Sequence, residues 1–212
     1  MNREIFREYD IRGVVGDTLT GDDAVLFGRG FGTYLRGRGG NTVAVGRDNR
    51  LSSPELQAAV IEGLLSTGCR VYDVGQLPTP AFYFSVIHCK ADGGVMVTAS
   101  HNPPSYNGFK LRFGEAAVFG AEIQKIASII ESGDFAAGKG SRDARGIIDE
   151  YLAAIRSRIR LKRRLTVVAD AGNGTAGPLV KRLLKDLGCD LVELYCEPDG
   201  TFPHHLPDPT ID

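Results

Sequence analysis

Helix signals and strand signals alternate along this chain, and that alternation limits the fold to helices covering a mainly parallel or mixed sheet. Thr20-Gly21-Asp22-Asp23 reads as a capping box that opens a helix whose apolar side carries Ala24, Phe27, Phe31 and Tyr34 or Leu35. A β-branched and apolar run, Thr42-Val43-Ala44-Val45, follows and stops at Gly46-Arg47-Asp48. Ser53 then caps a helix begun by Pro54 and ended near Ser66, with Gly68 just past it, and Cys69 to Val74 is the next strand. A short helix starts at Thr79-Pro80, Gly94 to Thr98 forms another strand, and a helix covers Ala121 to Ile130.

Gly133 to Gly146 is a polar, glycine-rich bridge and the best position for a domain boundary. Beyond it, Ile148, Tyr151, Leu152, Ile155 and Ile159 recur at helical spacing and predict a linking helix. A second strand-helix-strand unit runs through Leu165 to Ala169, Pro178 to Leu187 and Cys189 to Leu194. Its Leu187-Gly188-Cys189 junction echoes Thr67-Gly68-Cys69 in the first unit. Asp170-Ala171-Gly172-Asn173-Gly174-Thr175 has the glycine content of a phosphate-binding loop, yet it lacks a Walker lysine and the full dinucleotide fingerprint, so a tight turn into the helix is the better reading. Arg47, Asp48 and Arg50 read as turn and surface charges.

With 25 Lys plus Arg against 26 Asp plus Glu, the net charge of −1 gives no global attraction to nucleic acid or an anionic membrane. The N-terminal residues lack the apolar core of a signal peptide, and no apolar stretch reaches the roughly 18 residues of a membrane span, which points to a soluble, cytoplasmic protein. Cys69, Cys89, Cys189 and Cys196 form no Cys-x-x-Cys pair, so reduced thiols are expected rather than a zinc site or disulfides.

The chemistry concentrates after Val95-Met96-Val97, in Thr98-Ala99-Ser100-His101-Asn102-Pro103-Pro104 and Tyr106-Asn107-Gly108-Phe109-Lys110. A proline-stiffened loop at a strand end, carrying a hydroxyl, an imidazole and an ammonium, is where α/β proteins place reacting groups. Adjacent Ser and His do not by themselves make a nucleophile and its base, and no Gly-x-Ser-x-Gly elbow is present. An ordinary Asn-Pro turn is the alternative for the isolated pair.

Taken whole, this string resembles the phosphoserine loop of the α-D-phosphohexomutases, the phosphoglucomutase and phosphomannomutase family. Tyr9-Asp10-Ile11-Arg12-Gly13 resembles a second signature of that family, and the likeness extends over essentially the whole chain. The resemblance implies an α/β fold with helices on a mixed, mainly parallel sheet. Residues 1–146 correspond to the family's first domain, and residues 147–212 to a linking helix and the incomplete start of a second domain of similar topology. It further implies a phosphotransferase that interconverts hexose 1-phosphate and hexose 6-phosphate, of mannose or glucose, through a phosphoserine enzyme and a bisphosphorylated sugar.

By the same resemblance Ser100 is the phosphorylated residue and a ligand of Mg²⁺. His101 and Lys110 flank the transferring group, with Lys110 as general acid or base, and Arg12 points a guanidinium at the phosphoserine. Tyr9 is a candidate for substrate contact, while Asp10 and Gly13 shape the loop. Glucose 1,6-bisphosphate or an equivalent is the implied activator. The family's acidic metal loop, sugar-recognition loop and C-terminal phosphate-gripping domain have no counterpart in these residues, so an inactive fragment of a longer enzyme is expected. A non-catalytic module that binds sugar phosphate or a protein is the alternative of a different class, and phosphoglucosamine mutase the alternative within the family. Oligomeric state is left open.

Overall fold

Thr20 accepts a hydrogen bond from the Asp23 amide, and Asp23 accepts one from the Thr20 amide, so the expected capping box is formed and fixes where the first helix begins. The computed structural model describes residues 1–208. After a short 3₁₀ turn at Arg3–Ile5, the order is β1 (Ile11–Val14), α1 (Gly21–Arg36), β2 (Thr42–Arg47), α2 (Ser53–Ser66), β3 (Arg70–Gln76), α3 (Thr79–His88), β4 (Gly93–Val97), β5 (Tyr106–Phe113), β6 (Ala116–Ala117), α4 (Ala121–Ser132), β7 (Ser141–Ala144), α5 (Ile148–Arg156), β8 (Thr166–Asp170), α6 (Gly177–Asp186) and β9 (Asp190–Leu194).

The first sheet runs β1-β5-β4-β2-β3-β7, with β6 paired to β5. Its β4, β2, β3 and β7 are mutually parallel, whereas β5 is antiparallel to β1, β4 and β6, so the sheet is mixed. Buried parallel strands are apolar on both faces. Accordingly Val43, Val45, Val95 and Val97 face α1, α2 and α4, and Ala44 and Met96 face α3. Phe27 on α1 stacks on Phe109 of β5 at 4.4 Å, which joins the helical layer to the strand that carries Lys110.

Two local expectations are corrected. Ser53 does not cap α2: the N-cap is Ser52, which makes no side-chain cap bond, and the Ser53 hydroxyl donates instead to Asp48 at 2.5 Å. Ile159 lies beyond the end of α5, which stops at Arg156, and is exposed. Within α5, Leu152 is fully buried, and the Tyr151 ring meets Phe84 of α3 at 5.5 Å. The glycine-rich bridge also carries more structure than its composition suggests, since β7 lies within it and pairs with β3.

The second unit is a parallel β8-β9 pair joined through α6. The echo between the units is geometric as well as sequential. Cys69 and Cys189 each return a backbone hydrogen bond to the last turn of the preceding helix, at Leu64 (3.3 Å) and Leu184 (3.0 Å) respectively.

Candidate active site

β4 ends at Val97 and delivers Thr98 and Ala99 in buried positions, and Ser100 follows with φ +55°. A non-glycine residue in that left-handed region persists only where its surroundings over-determine it. Part of the restraint is local. The Ser100 amide donates to Thr98 Oγ1 at 2.9 Å, the Asn102 amide to Ala99 at 3.1 Å and the Tyr106 amide to Pro103 at 3.0 Å. Ser100 and exposed His101 line a cleft of about 270 Å³ together with Thr98, Asn49, Gly174 and Phe202.

The rest of the restraint comes from Arg50, which is no surface charge. It is 1% exposed, and its guanidinium donates to the carbonyls of Ser100 (2.9 Å), Asn102 (2.7 Å), Pro103 (2.7 Å) and Tyr106 (3.2 Å). Asp48 balances it, accepting from Arg50 Nε at 3.2 Å and from the Arg50 amide at 3.0 Å. Burial lowers the Arg50 pKa, and the Asp48 carboxylate opposes that shift. The sequence does contain a signal for this residue: Asp48 and Arg50 sit just past the C-terminal end of a parallel strand, where α/β sheets gather their sites. Arg47, by contrast, is the last residue of β2 rather than a turn residue, and it does keep to the surface, bonding Gln76 Oε1 at 2.8 Å.

On the other flank, β1 pairs antiparallel with β5, setting Arg12 opposite Gly108. Arg12 donates to Asn102 Oδ1 at 2.6 Å and to Asp10 Oδ2, and Lys110 Nζ reaches the same Asp10 oxygen at 3.3 Å. Asp10 is only 9% exposed, so one largely buried carboxylate holds two cations beside the loop. Arg12 Nε is buried and has no hydrogen-bond partner among the described residues. Arg12, Lys110 and Ser100 are thus tied to one loop. Asn102 joins them as a residue that motif reading left in the turn, and the same holds for Asp10, read only as shaping the loop. Tyr9 is not brought in. Its side chain is exposed, and its ring pairs with Phe119 at 6.4 Å instead.

The second unit closes the other side of the cleft. Asp170 to Thr175 forms the expected tight turn, with Asn173 at φ +56° and its carbonyl accepting from Asn49 Nδ2 at 2.8 Å. A larger opening of about 720 Å³ continues from His101 past Asp170, Gly172 and His205. His205 Nδ1 lies 3.0 Å from the Leu206 carbonyl and its Nε2 lies 3.2 Å from Asp170 Oδ1, and these contacts, in that order, raise the His205 pKa. Asp170 is held below the usual carboxylate range, chiefly by the Gly172 amide. No group of three or more His, Cys, Asp or Glu side chains among the described residues could hold a metal ion. No helix among them is long and apolar enough to cross a membrane.

Residues 3–137 match the family model for phosphoglucomutase/phosphomannomutase, alpha/beta/alpha domain I, and residues 149–212 match the model for domain II. The chain belongs to the phosphoglucomutase/phosphomannomutase family. Among this family's curated members, a phosphomannomutase/phosphoglucomutase of Pseudomonas aeruginosa is 48% identical over 97% of this chain and 44% of its own length. A phosphoglucomutase of Neisseria meningitidis is 45% identical over 98% of this chain and 46% of its own length. The crystal structure of a phosphoglucomutase/phosphomannomutase family protein from Burkholderia thailandensis superposes with a TM-score of 0.96 at 46% identity, covering 100% of this chain and 48% of that one. The chain therefore spans less than half the length of the family members it matches.

Proposed function

We propose that Ser100 is the phosphorylated nucleophile of an intramolecular phosphotransferase that interconverts hexose 1-phosphate and hexose 6-phosphate, of glucose or mannose, in the cytoplasm. The observation that carries this reading is the setting of Ser100. It is held at a left-handed backbone position at the mouth of a cleft, on a loop that Arg12 and Arg50 both grip. A phosphate on Ser100 adds about −1.5 to −2 charge at neutral pH, and Arg12 supplies a cation on that flank.

In the forward half-reaction the bond from phosphorus to Ser100 Oγ breaks as a bond forms to a sugar hydroxyl oxygen. The hydroxyl proton passes to a general base, for which Lys110 is the candidate, and His101 borders the incoming sugar. The bisphosphorylated sugar then presents its other phosphate, and the reverse chemistry returns a phosphoryl group to Ser100 with Lys110 as acid. The family's metal, Mg²⁺, would draw charge from the phosphoryl group, with Ser100 as a ligand. The described residues build no further ligand set for it. Relatives named for glucose and mannose support those hexoses over glucosamine.

Incubating the full-length enzyme with glucose 1,6-bisphosphate and mapping its phosphopeptides tests the reading. Label on Ser100 and loss of turnover in Ser100→Ala are expected, whereas label on another serine would sink it. The 212-residue polypeptide alone is proposed to fold without turning over hexose phosphate, because phosphoryl transfer needs the sugar held in line by groups on both sides. A coupled assay with glucose 1-phosphate, Mg²⁺ and bisphosphate, run beside circular dichroism, checks this, and measurable turnover would overturn it. Tight binding of glucose 1-phosphate without phosphorylation of the full-length protein would favour the non-catalytic module.

A further inference from the structure

We infer that Arg50 is the positioning residue that fixes the backbone of Ser100, and with it the line along which a phosphoryl group leaves that serine. The inference rests on the reading of Ser100 as the nucleophile.

A guanidinium has five N–H donors in a rigid planar fork. In Arg50 five hydrogen bonds match that number: Nε donates to Asp48, Nη1 to Pro103 and Tyr106, and Nη2 to Ser100 and Asn102. Four of these acceptors are main-chain carbonyls between Ser100 and Tyr106, so one side chain sets the curvature of the whole loop. None is a side-chain atom of the loop. Arg50 therefore acts through the backbone, and the Ser100 hydroxyl takes its direction from the φ of +55° that this curvature enforces.

The clamp is itself anchored. Asp48 accepts from Ser53 Oγ at 2.5 Å, and Ser53 and Ser52 both accept from Asn107 Nδ2, at 2.9 and 2.8 Å. Asn107 is fully buried at the start of β5, so the network ties the far end of the loop to the start of α2. The second unit seals it from water. The Phe202 ring lies 5.5 Å from Arg50 Cζ, and a Cβ on Gly200 would come within 2.4 Å of the Asn49 carbonyl, so only glycine lets that turn seat against the clamp. A lysine at position 50 would offer a point charge with three donors and could not satisfy the same carbonyls.

The test uses the full-length enzyme carrying Arg50→Lys and, as a variant that buries no charge, Arg50→Gln. Thermal unfolding, steady-state kinetics with glucose 1-phosphate, and hydrogen–deuterium exchange of the 99–107 peptide are measured together. A fall in kcat of about 100-fold with KM changed less than about threefold is expected, with faster exchange in that peptide and unchanged exchange in β2. A kcat within about threefold of the parent in either folded variant would overturn the inference, as would a rise confined to KM. Loss of the cooperative unfolding transition in both variants would also overturn it, by making Arg50 a residue the domain needs in order to fold. Turnover that survives in Ser100→Ala strikes at the nucleophile reading instead, and the two failures are told apart.

Discussion

Lys110 Nζ lies 3.3 Å from Asp10 Oδ2, a pairing created by the antiparallel register of β1 on β5. Ile11 sits opposite Phe109, so the next pair along the ladder brings Asp10 beside Lys110. The same carboxylate binds Arg12, and it thereby keeps two like charges next to one loop at low cost.

Asp10→Asn leaves the acceptor oxygen but removes that neutralisation. In the full-length enzyme it is expected to lower kcat by about tenfold and stability by about 1–3 kcal/mol. Coupled kinetics and urea unfolding check this, and unchanged values in both would show that Arg12 and Lys110 need no common counter-charge.

Lys110→Met is expected to cut kcat by about 10²–10⁴, the effect of removing a positioned general acid or base. Single-turnover phosphoryl transfer from labelled enzyme to glucose 1-phosphate reads the chemical step directly. A loss below about threefold would show that Lys110 is not the general acid or base.

Gly108→Ala tests the closeness of the two strands. An added Cβ would lie 2.0 Å from the Ile11 carbonyl, which is backbone and has no rotamer by which to escape. A loss of about 2–4 kcal/mol is expected from urea denaturation, with weaker activity because Arg12 is carried away with β1. Wild-type stability would mean that β1 can slide off β5 freely.

Asp92 provides a pH test at the opposite end of the sheet. Burial pushes its carboxyl up, but the Thr42 hydroxyl and the Asn41 and Thr42 amides, all within 2.9 Å, more than offset this and hold it below the usual range. A depressed carboxylate contributes stability that is present above its unfolded pKa and lost as pH falls through the folded one. Asp92→Asn should therefore lower the melting temperature at pH 7, and the gap to the parent should shrink as the solution is acidified below about pH 4. A gap that stays constant with pH would assign Asp92 no part in acid sensitivity.

Much of the scaffold was legible in the chain. The Thr20 box, the apolar side of α1, the alternating strands, and the Ser100 and Arg12 signatures are local patterns, set by spacing and side-chain chemistry within a few residues of one another. The strand end placed Arg50 near the site, but its burial was not legible. A charged residue near a turn is exposed unless partners are brought to it, and its partners are carbonyls some fifty residues downstream whose positions depend on the whole sheet. Tyr9 shows the same dependence: it lies within a signature, yet only the tertiary fold leaves its ring exposed beside Phe119.

By itself the sequence determined the helices, the strands β2, β3, β4, β8 and β9, and which loop carries the reacting groups, because hydrophobic period, caps and prolines act over short distances, whereas β1, β5, β6 and β7 carry no such local pattern. Only the tertiary structure decided which charges reach that loop. The insertion of β5 between β1 and β4 in antiparallel sense, and the seating of the second unit on the Asn49–Arg50 turn, bring together groups that no local pattern relates. The physical reason is that a buried guanidinium or carboxylate must find its partners inside the fold, and where those partners lie is set by strand order and register.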